Sequence, residues 1–260
     1  MTQIIDSVQP GTILLIGEVH GQKATHDQQM SILEALRDRG LKVSVGMEFF
    51  NYTDQDLVQK FRSGEISETD FKTAVKWSGF DFSLYGPQLA FPKAEREEFG
   101  LGINMPRSVT QAISKNGLAS LKPDQIKLMP PNFELGRDSY HDRFNELMSD
   151  GHIPTDKLAN YFAAQCVWDD TMAWQTVNFM RNHQDHVFVV IVGEFHVQYG
   201  GGLPDRIAVR LAEDGLDSKL KIQTISQVWA EGLNQDEIQK EITPSDKYGP
   251  RADFISLFGL

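Results

Sequence analysis

Hydrophobic residues in this chain fall into short runs alternating with helically spaced stripes. Ile13–Gln22, ILLIGEVHGQ, and Phe188–Tyr199, FVVIVGEFHVQY, each begin with a β-branched and leucyl run too short for a buried helix and end in Gly-Glu-x-His. They predict two strands, each delivering an acid and an imidazole. After the first, Thr25-x-x-Gln28 reads as a capping box, Met30, Leu33 and Leu36 follow at helical spacing, and Gly40 is the stop. Lys42–Met47 is the next strand and ends at Glu48. A strand, helix and strand joined in this way make a parallel pair.

Capping residues and apolar spacing predict short helices over Thr53–Phe61 and Ser67–Val75, separated by Gly64. Trp77–Pro92 is aromatic with interleaved glycine and proline, and reads as a core-edge loop, part of which packs on the core or lines a pocket. Leu101–Asn104 is a third strand, and Pro106 suits the first turn of a helix ending before Gly117. The pattern weakens from Lys122 to Pro154, an insertion with one helix near Tyr140–Met148. Thr155–Arg181 is a long helix whose stripe is Leu158, Phe162, Cys166, Met172, Thr176 and Met180. Gln165 and Asp169 lie on or beside that stripe. A buried carboxylate demands a partner, so Asp169→Ala is expected to cost roughly 1–3 kcal/mol. Val187–Val192 is the fourth strand, Pro204 opens a helix to about Glu213, and Lys221–Gln227 is a last strand. The expected fold is one α/β domain over 1–260, a mostly parallel β-sheet flanked by helices. A small inserted helical subdomain comes from 53–85 and 122–165. A polar C-terminal extension covers 232–260, within which Ala252–Phe258 can return to the sheet.

With 260 residues, 40% of them hydrophobic, the chain is long enough to bury a sizeable core. Its net charge of −11 would repel a phosphate backbone, which argues against non-specific nucleic-acid binding. A single cysteine, Cys166, excludes an intramolecular disulfide framework. No apolar run approaches the roughly 18 residues of a transmembrane segment, and Met1–Pro10 lacks the regions of a signal peptide. As written, the sequence reads as cytoplasmic. A chain trimmed of an export signal would read the same.

The chemistry gathers at the strand ends. Side chains two apart share a face of an extended strand, so Glu18 with His20, and Glu194 with His196, are expected to point together. Glu48 belongs at the same edge, where open α/β sheets bind ligands. His20 and His196 with Glu48 and Glu194 form a candidate set for a divalent metal, leaving a further glutamate as base. Without metal, a glutamate polarising a histidine could activate water. Either route describes a hydrolase. Arg107, in a first helical turn where a cation opposes the dipole, hints at an anionic partner. Gly200–Gly202 before a helix suggests backbone N–H groups open to a carboxylate or propionate, while no Walker lysine or GxGxxG marks a nucleotide site.

Five motifs together, GEVH, GMEFF, NMPR, Gln165-x-x-Trp168-Asp169-x-x-Met172-Ala173 and GEFHVQYGGGLPDR, with the tail RADFISLF, resemble the ChaN family of haem-binding uptake proteins. That family shares a superfamily with the erythromycin esterases and the TIKI and TraB proteins, several of which use such glutamates and histidines as hydrolases or metalloproteases. The resemblance implies non-covalent haem binding in iron acquisition, a tyrosine iron ligand, and a site that a homodimer can share. Its motifs carry over Glu18, His20, Glu48, Asn104, Arg107, Asp169, Glu194 and His196 as site residues. The haem-ligating tyrosine lies outside the matched motifs, and the candidates are Tyr140 and Tyr161, with Tyr85 behind them. Many members are exported lipoproteins, which gives a periplasmic or outer-membrane alternative to the cytoplasm, although no lipid-bearing cysteine stands near Met1. Haem binding is the preferred expectation, with the Glu/His hydrolase as its alternative.

Overall fold

A six-stranded parallel sheet runs through the computed structural model, which describes residues 2–148 and 153–260. Its strands are β1 (Thr12–Glu18), β2 (Lys42–Asn51), β3 (Gly100–Asn104), β4 (His186–Gly193), β5 (Lys221–Trp229) and β6 (Phe254–Phe258), in the order β3-β2-β4-β1-β5-β6. Helices α1 (Thr2–Ser7), α2 (Lys23–Asp38), α3 (Gln55–Arg62), α4 (Glu68–Ala74) and α5 (Phe82–Ala90) precede β3. After it come α6 (Arg107–Asn116), α7 (Pro123–Ile126), α8 (Asp138–Met148), α9 (Leu158–Asn182), α10 (Leu203–Glu213) and α11 (Gln235–Ile242). Within the weakly patterned stretch 122–154, positions 149–152 lie outside the described residues, as does Met1. Among the described residues no helix is long and apolar enough to cross a membrane.

Both β1 and β4 are buried along their whole length, as their unbroken apolar runs require of central parallel strands. Alternate residues feed two cores. Leu14, Ile16, Val45 and Met47 meet Ile32 and Leu33 of α2 and Phe71, Phe82 and Tyr85 of α4 and α5. On the other face, Ile13, Leu15, Phe188 and Val190 meet Met172 and Val177 of α9 and Leu203 and Ile207 of α10. Helix α2 follows β1 on one face, and α10 follows β4 on the other. The chain therefore diverges beyond these adjacent strand ends and leaves a crevice there. Register pairs Glu18 with Gly193, bringing both Gly-Glu-x-His copies to this edge with an offset of one residue. A β-carbon on Gly17 would lie 3.0 Å from the Glu194 Cα, so a larger residue would crowd that approach.

Several local expectations need correction. Helix α2 begins at Lys23 with Gln22 as an N-cap that makes no side-chain bond, and Thr25 instead donates its hydroxyl to the Gln22 carbonyl at 2.7 Å. Pro106 is the N-cap of α6 and Arg107 its first helical residue. The aromatic stretch expected as a loop contains α5, capped by Asp81, which accepts from the Ser83 N–H at 2.9 Å. Within the polar extension the chain does return to the sheet, as expected of Ala252–Phe258, and β6 pairs in parallel with β5.

Candidate functional site

Glu18 ends β1 with its carboxylate buried. It accepts from Gln29 Nε2 at 2.6 Å and the Tyr85 hydroxyl at 3.2 Å, while His20 Nδ1 lies 3.1 Å away. Tyr85 in turn accepts from the Gly21 N–H at 3.0 Å, closing the turn that carries His20. The His20 side chain is 34% exposed, and its ring packs against Phe49 and Phe80. Burial opposes its protonation, but the Glu18 hydrogen bond and the Glu48 charge outweigh this and raise its pKa above 6.5.

A second network begins at Glu48, whose Oε2 accepts from the Gly193 N–H at 2.6 Å and whose Oε1 lies 3.4 Å from His196 Nε2. His196 Nδ1 is 2.6 Å from Asp169 Oδ1, and Asp169 Oδ2 accepts from the Tyr140 hydroxyl at 2.8 Å. Gln165 Nε2 reaches both the Tyr140 hydroxyl and His196 Nδ1. Burial disfavours a charged imidazole at 196, yet the Glu48 and Asp169 carboxylates raise its pKa to about 10. Burial likewise works against the Glu48 anion, but His196, then His20 and the Gly193 N–H, lower its pKa to about 2. For Asp169 burial wins, and its pKa lies above the ordinary value despite His196 and Tyr140. His196 is thus a buried imidazolium between two acids. The two networks meet at Gly193, where an added β-carbon would lie 3.0 Å from His20 Nε2 and 3.5 Å from Glu48 Oε2.

The second Gly-Glu-x-His does not repeat the first. Strand β4 stops at Gly193 and Glu194–His196 form a turn of 3-10 helix, which sends Glu194 and His196 apart. Glu194 binds the Arg251 guanidinium at 2.5 and 2.9 Å and accepts from the Ser226 hydroxyl. Both His196 nitrogens face carboxylates. The expected metal set of His20, His196, Glu48 and Glu194 is therefore not assembled. Among the described residues no group of three or more His, Cys, Asp or Glu side chains could hold a metal ion.

The glycine run also serves a different end from the one expected. A β-carbon on Gly201 would lie 2.9 Å from the Tyr140 ring, and one on Gly202, at φ +63°, 2.9 Å from Asp169 Oδ1. These glycines make room for the Tyr140–Asp169 pair. The Asn104 side chain accepts from the Met105 N–H at 2.8 Å and so caps the end of β3. The Arg107 guanidinium is exposed and makes no hydrogen bond or ion pair with a described residue.

Burial sorts the tyrosine candidates. Tyr85 and Tyr140 are sealed in, and burial, followed by the nearby Glu18 or Asp169 charge, raises the pKa of each phenol. Tyr161 is 40% exposed. It lines a cavity of about 460 Å³ with Arg107, Lys115, Phe144, Met148 and Trp168, beside Gln165 of the His196 network.

Sequence reasoning missed two supports. Asp170 is fully buried and binds Arg206 Nε at 3.0 Å and Arg210 at 2.7 Å through both oxygens, tying α9 to α10. The i, i+4 spacing of the two arginines was its visible signal. Arg143 bonds Gln198 Oε1 at 2.5 Å and the Phe195 carbonyl at 2.7 Å, fixing the turn that aims His196.

The parallel sheet is covered on both faces and carries an acid–imidazole cluster at its carboxyl edge, the place where open α/β sheets hold ligands. A family model described as haem-binding uptake, Tiki superfamily, ChaN matches residues 4–207, and the chain belongs to that family. Among solved structures it is similar to ChaN of Campylobacter jejuni, described as binding haem cofacially, with a TM-score of 0.63 at 18% identity over 89% of this chain and 87% of that one. The type III effector HopBA1 has a TM-score of 0.47 at 13% identity, over 95% of this chain and 87% of its own. An erythromycin esterase mutant in its open conformation also gives 0.47 at 13% identity, over 96% of this chain and 76% of its own. No curated protein sequence matches the chain.

Proposed function

We propose that this protein binds ferric haem non-covalently in the cavity lined by Tyr161, with that phenol as the iron ligand, and serves haem handling as its family does. The observation that carries the reading is the exposure of Tyr161 on an apolar wall, while Tyr85 and Tyr140 are buried and spend their hydroxyls on carboxylates. The cavity fits the group. Met148, Ile153 and Trp168 offer apolar surface to a macrocycle, and Arg107 and Lys115 offer cations to its propionates. When bound, haem supplies the iron centre; the chain holds the ring, neutralises its acids and donates a phenolate.

Haem titration of the wild type should give a saturable Soret change with a tyrosinate-type ferric spectrum. Tyr161→Phe should lose that spectrum and at least tenfold in affinity, whereas Tyr85→Phe and Tyr140→Phe should keep both. A wild type without a saturable change defeats haem binding. A Tyr161→Phe variant with an unchanged spectrum defeats only the ligand assignment.

The exposed His20 edge supports a second reading, a metal-free hydrolase. Glu18 fixes the Nδ1 side of the imidazole, Nε2 is placed to take a proton from water, and Glu48 remains ionised beside it. If p-nitrophenyl acetate is a substrate, His20→Ala should reduce kcat/KM by about 100-fold or more. Equal rates in wild type and variant would remove this reading.

A further inference from the structure

We infer that a second cavity at the crevice, of about 430 Å³, binds an organic anion with an aromatic body, of the aryl-alkyl carboxylate class. Phe49, Trp77 and Phe80 form its aromatic walls, and Lys76 and Arg107 supply its charge. The walls are fixed. Trp77 Nε1 donates to the Phe80 carbonyl at 2.8 Å, the Trp77 ring lies 6.4 Å from Phe49, and both Phe49 and Phe80 lean on His20. Rings held in this way offer a flat ligand edge and face contacts without a further ordering cost.

The cations are what make the cavity selective. Acidic residues outnumber basic ones here by 36 to 25, and most lysines and arginines near carboxylates are paired with them. The Lys76 ammonium and the Arg107 guanidinium make no hydrogen bond or ion pair with a described residue, yet both line this one cavity. Lys76 also adopts φ +57°, in the left-handed region that glycine enters freely and an L side chain enters at a cost. Gly64 and Gly79 also carry positive φ, so a lysine at 76 is a departure from the residue such a backbone prefers. The first turn of α6 adds backbone N–H groups at the same rim, with Arg107 and Ser108 among the lining residues. Two cations with no partner among the described residues, lining one cavity with three aromatic rings, suit a carboxylate joined to an aromatic group. A neutral aromatic would leave both charges unanswered.

Lys76 does not line the Tyr161 cavity, so this inference stands apart from the haem reading although Arg107 borders both. Calorimetric titration of the full chain with 4-phenylbutanoate and with its neutral analogue 4-phenylbutanamide tests it. The acid should bind one to one and at least tenfold more tightly than the amide, and the Trp77 indole NMR signal should shift on saturation. Lys76→Gly, which suits the backbone and removes the cation together with its aliphatic stem, and Arg107→Gln, which removes a cation and keeps a side chain of similar reach, should each weaken the acid at least fivefold and leave the amide unchanged. Haem titration of Lys76→Gly should match the wild type. Absence of saturable acid binding, equal affinity for acid and amide, or undiminished acid binding in folded Lys76→Gly would each overturn the inference. Acid binding that shifts Trp168 instead of Trp77 would also overturn it, by placing the acid in the Tyr161 cavity.

Discussion

Asp169→Ala is expected to lower stability by ~3–5 kcal/mol, the range for removing one partner of a buried ion pair. The expectation from sequence, an unspecified single partner, was smaller. In the structure the carboxylate serves the His196 imidazolium with one oxygen and the Tyr140 hydroxyl with the other, and all three groups are buried. Alanine leaves the imidazolium with Glu48 as its one carboxylate and takes the acceptor from the Tyr140 hydroxyl, and the closely packed Gly202 backbone leaves little room for water to replace it. Thermal unfolding should show a fall in Tm on the order of 10 °C. Asp169→Asn keeps an oxygen for Tyr140 but removes the charge, so it should fall between alanine and wild type. If the alanine variant lies within about 1 kcal/mol of wild type in urea, His196 does not carry the buried charge assigned to it.

How far the sequence reveals this site depends on the range of each interaction. The strand ends and their Gly-Glu-x-His motifs are legible because burial on both faces leaves an unbroken apolar run that stops where polar side chains begin. That β1 and β4 lie side by side is not legible, since parallel neighbours join through long crossovers and any of the strands could have intervened. The fate of Glu194 turned on one backbone choice after Gly193. An extended continuation would have set it beside His196, whereas the observed 3-10 turn gives it to Arg251, 57 positions away. Helix α5 was hidden by Gly86 and Pro87 in its interior, although Asp81 two residues before Ser83 was a usable cap signal. Sorting Tyr85, Tyr140 and Tyr161 needed tertiary burial, which no local pattern around a tyrosine encodes.

The Glu48–His196–Asp169 arrangement should also give stability a defined alkaline limb. His196 has its pKa raised to about 10 from 6.5, so its stabilisation is fully present below about 6.5 and is lost as pH rises through 10. Glu48, lowered to about 2, contributes above about 4.5 and loses that contribution as pH falls through 2. Asp169, raised by burial, acts in the opposite sense and takes back part of the Glu48 effect on the acid side. The alkaline limb is therefore the clearer one. Between pH 6 and pH 9 the loss attributable to His196 should be on the order of 3 kcal/mol, because the unfolded chain sheds that proton about three units earlier. Urea unfolding at both values, in wild type and in His196→Gln, reads the contribution of His196 and the acids coupled to it as the difference between two slopes, in which the groups remote from His196 cancel. NMR supplies a reading that does not require the variant to fold: the His196 ring should remain protonated at pH 8. A His196 signal that titrates near 6.5, together with an unfolding free energy that varies equally with pH in both proteins, would mean that the imidazole is neutral and only hydrogen-bonded between its two acids.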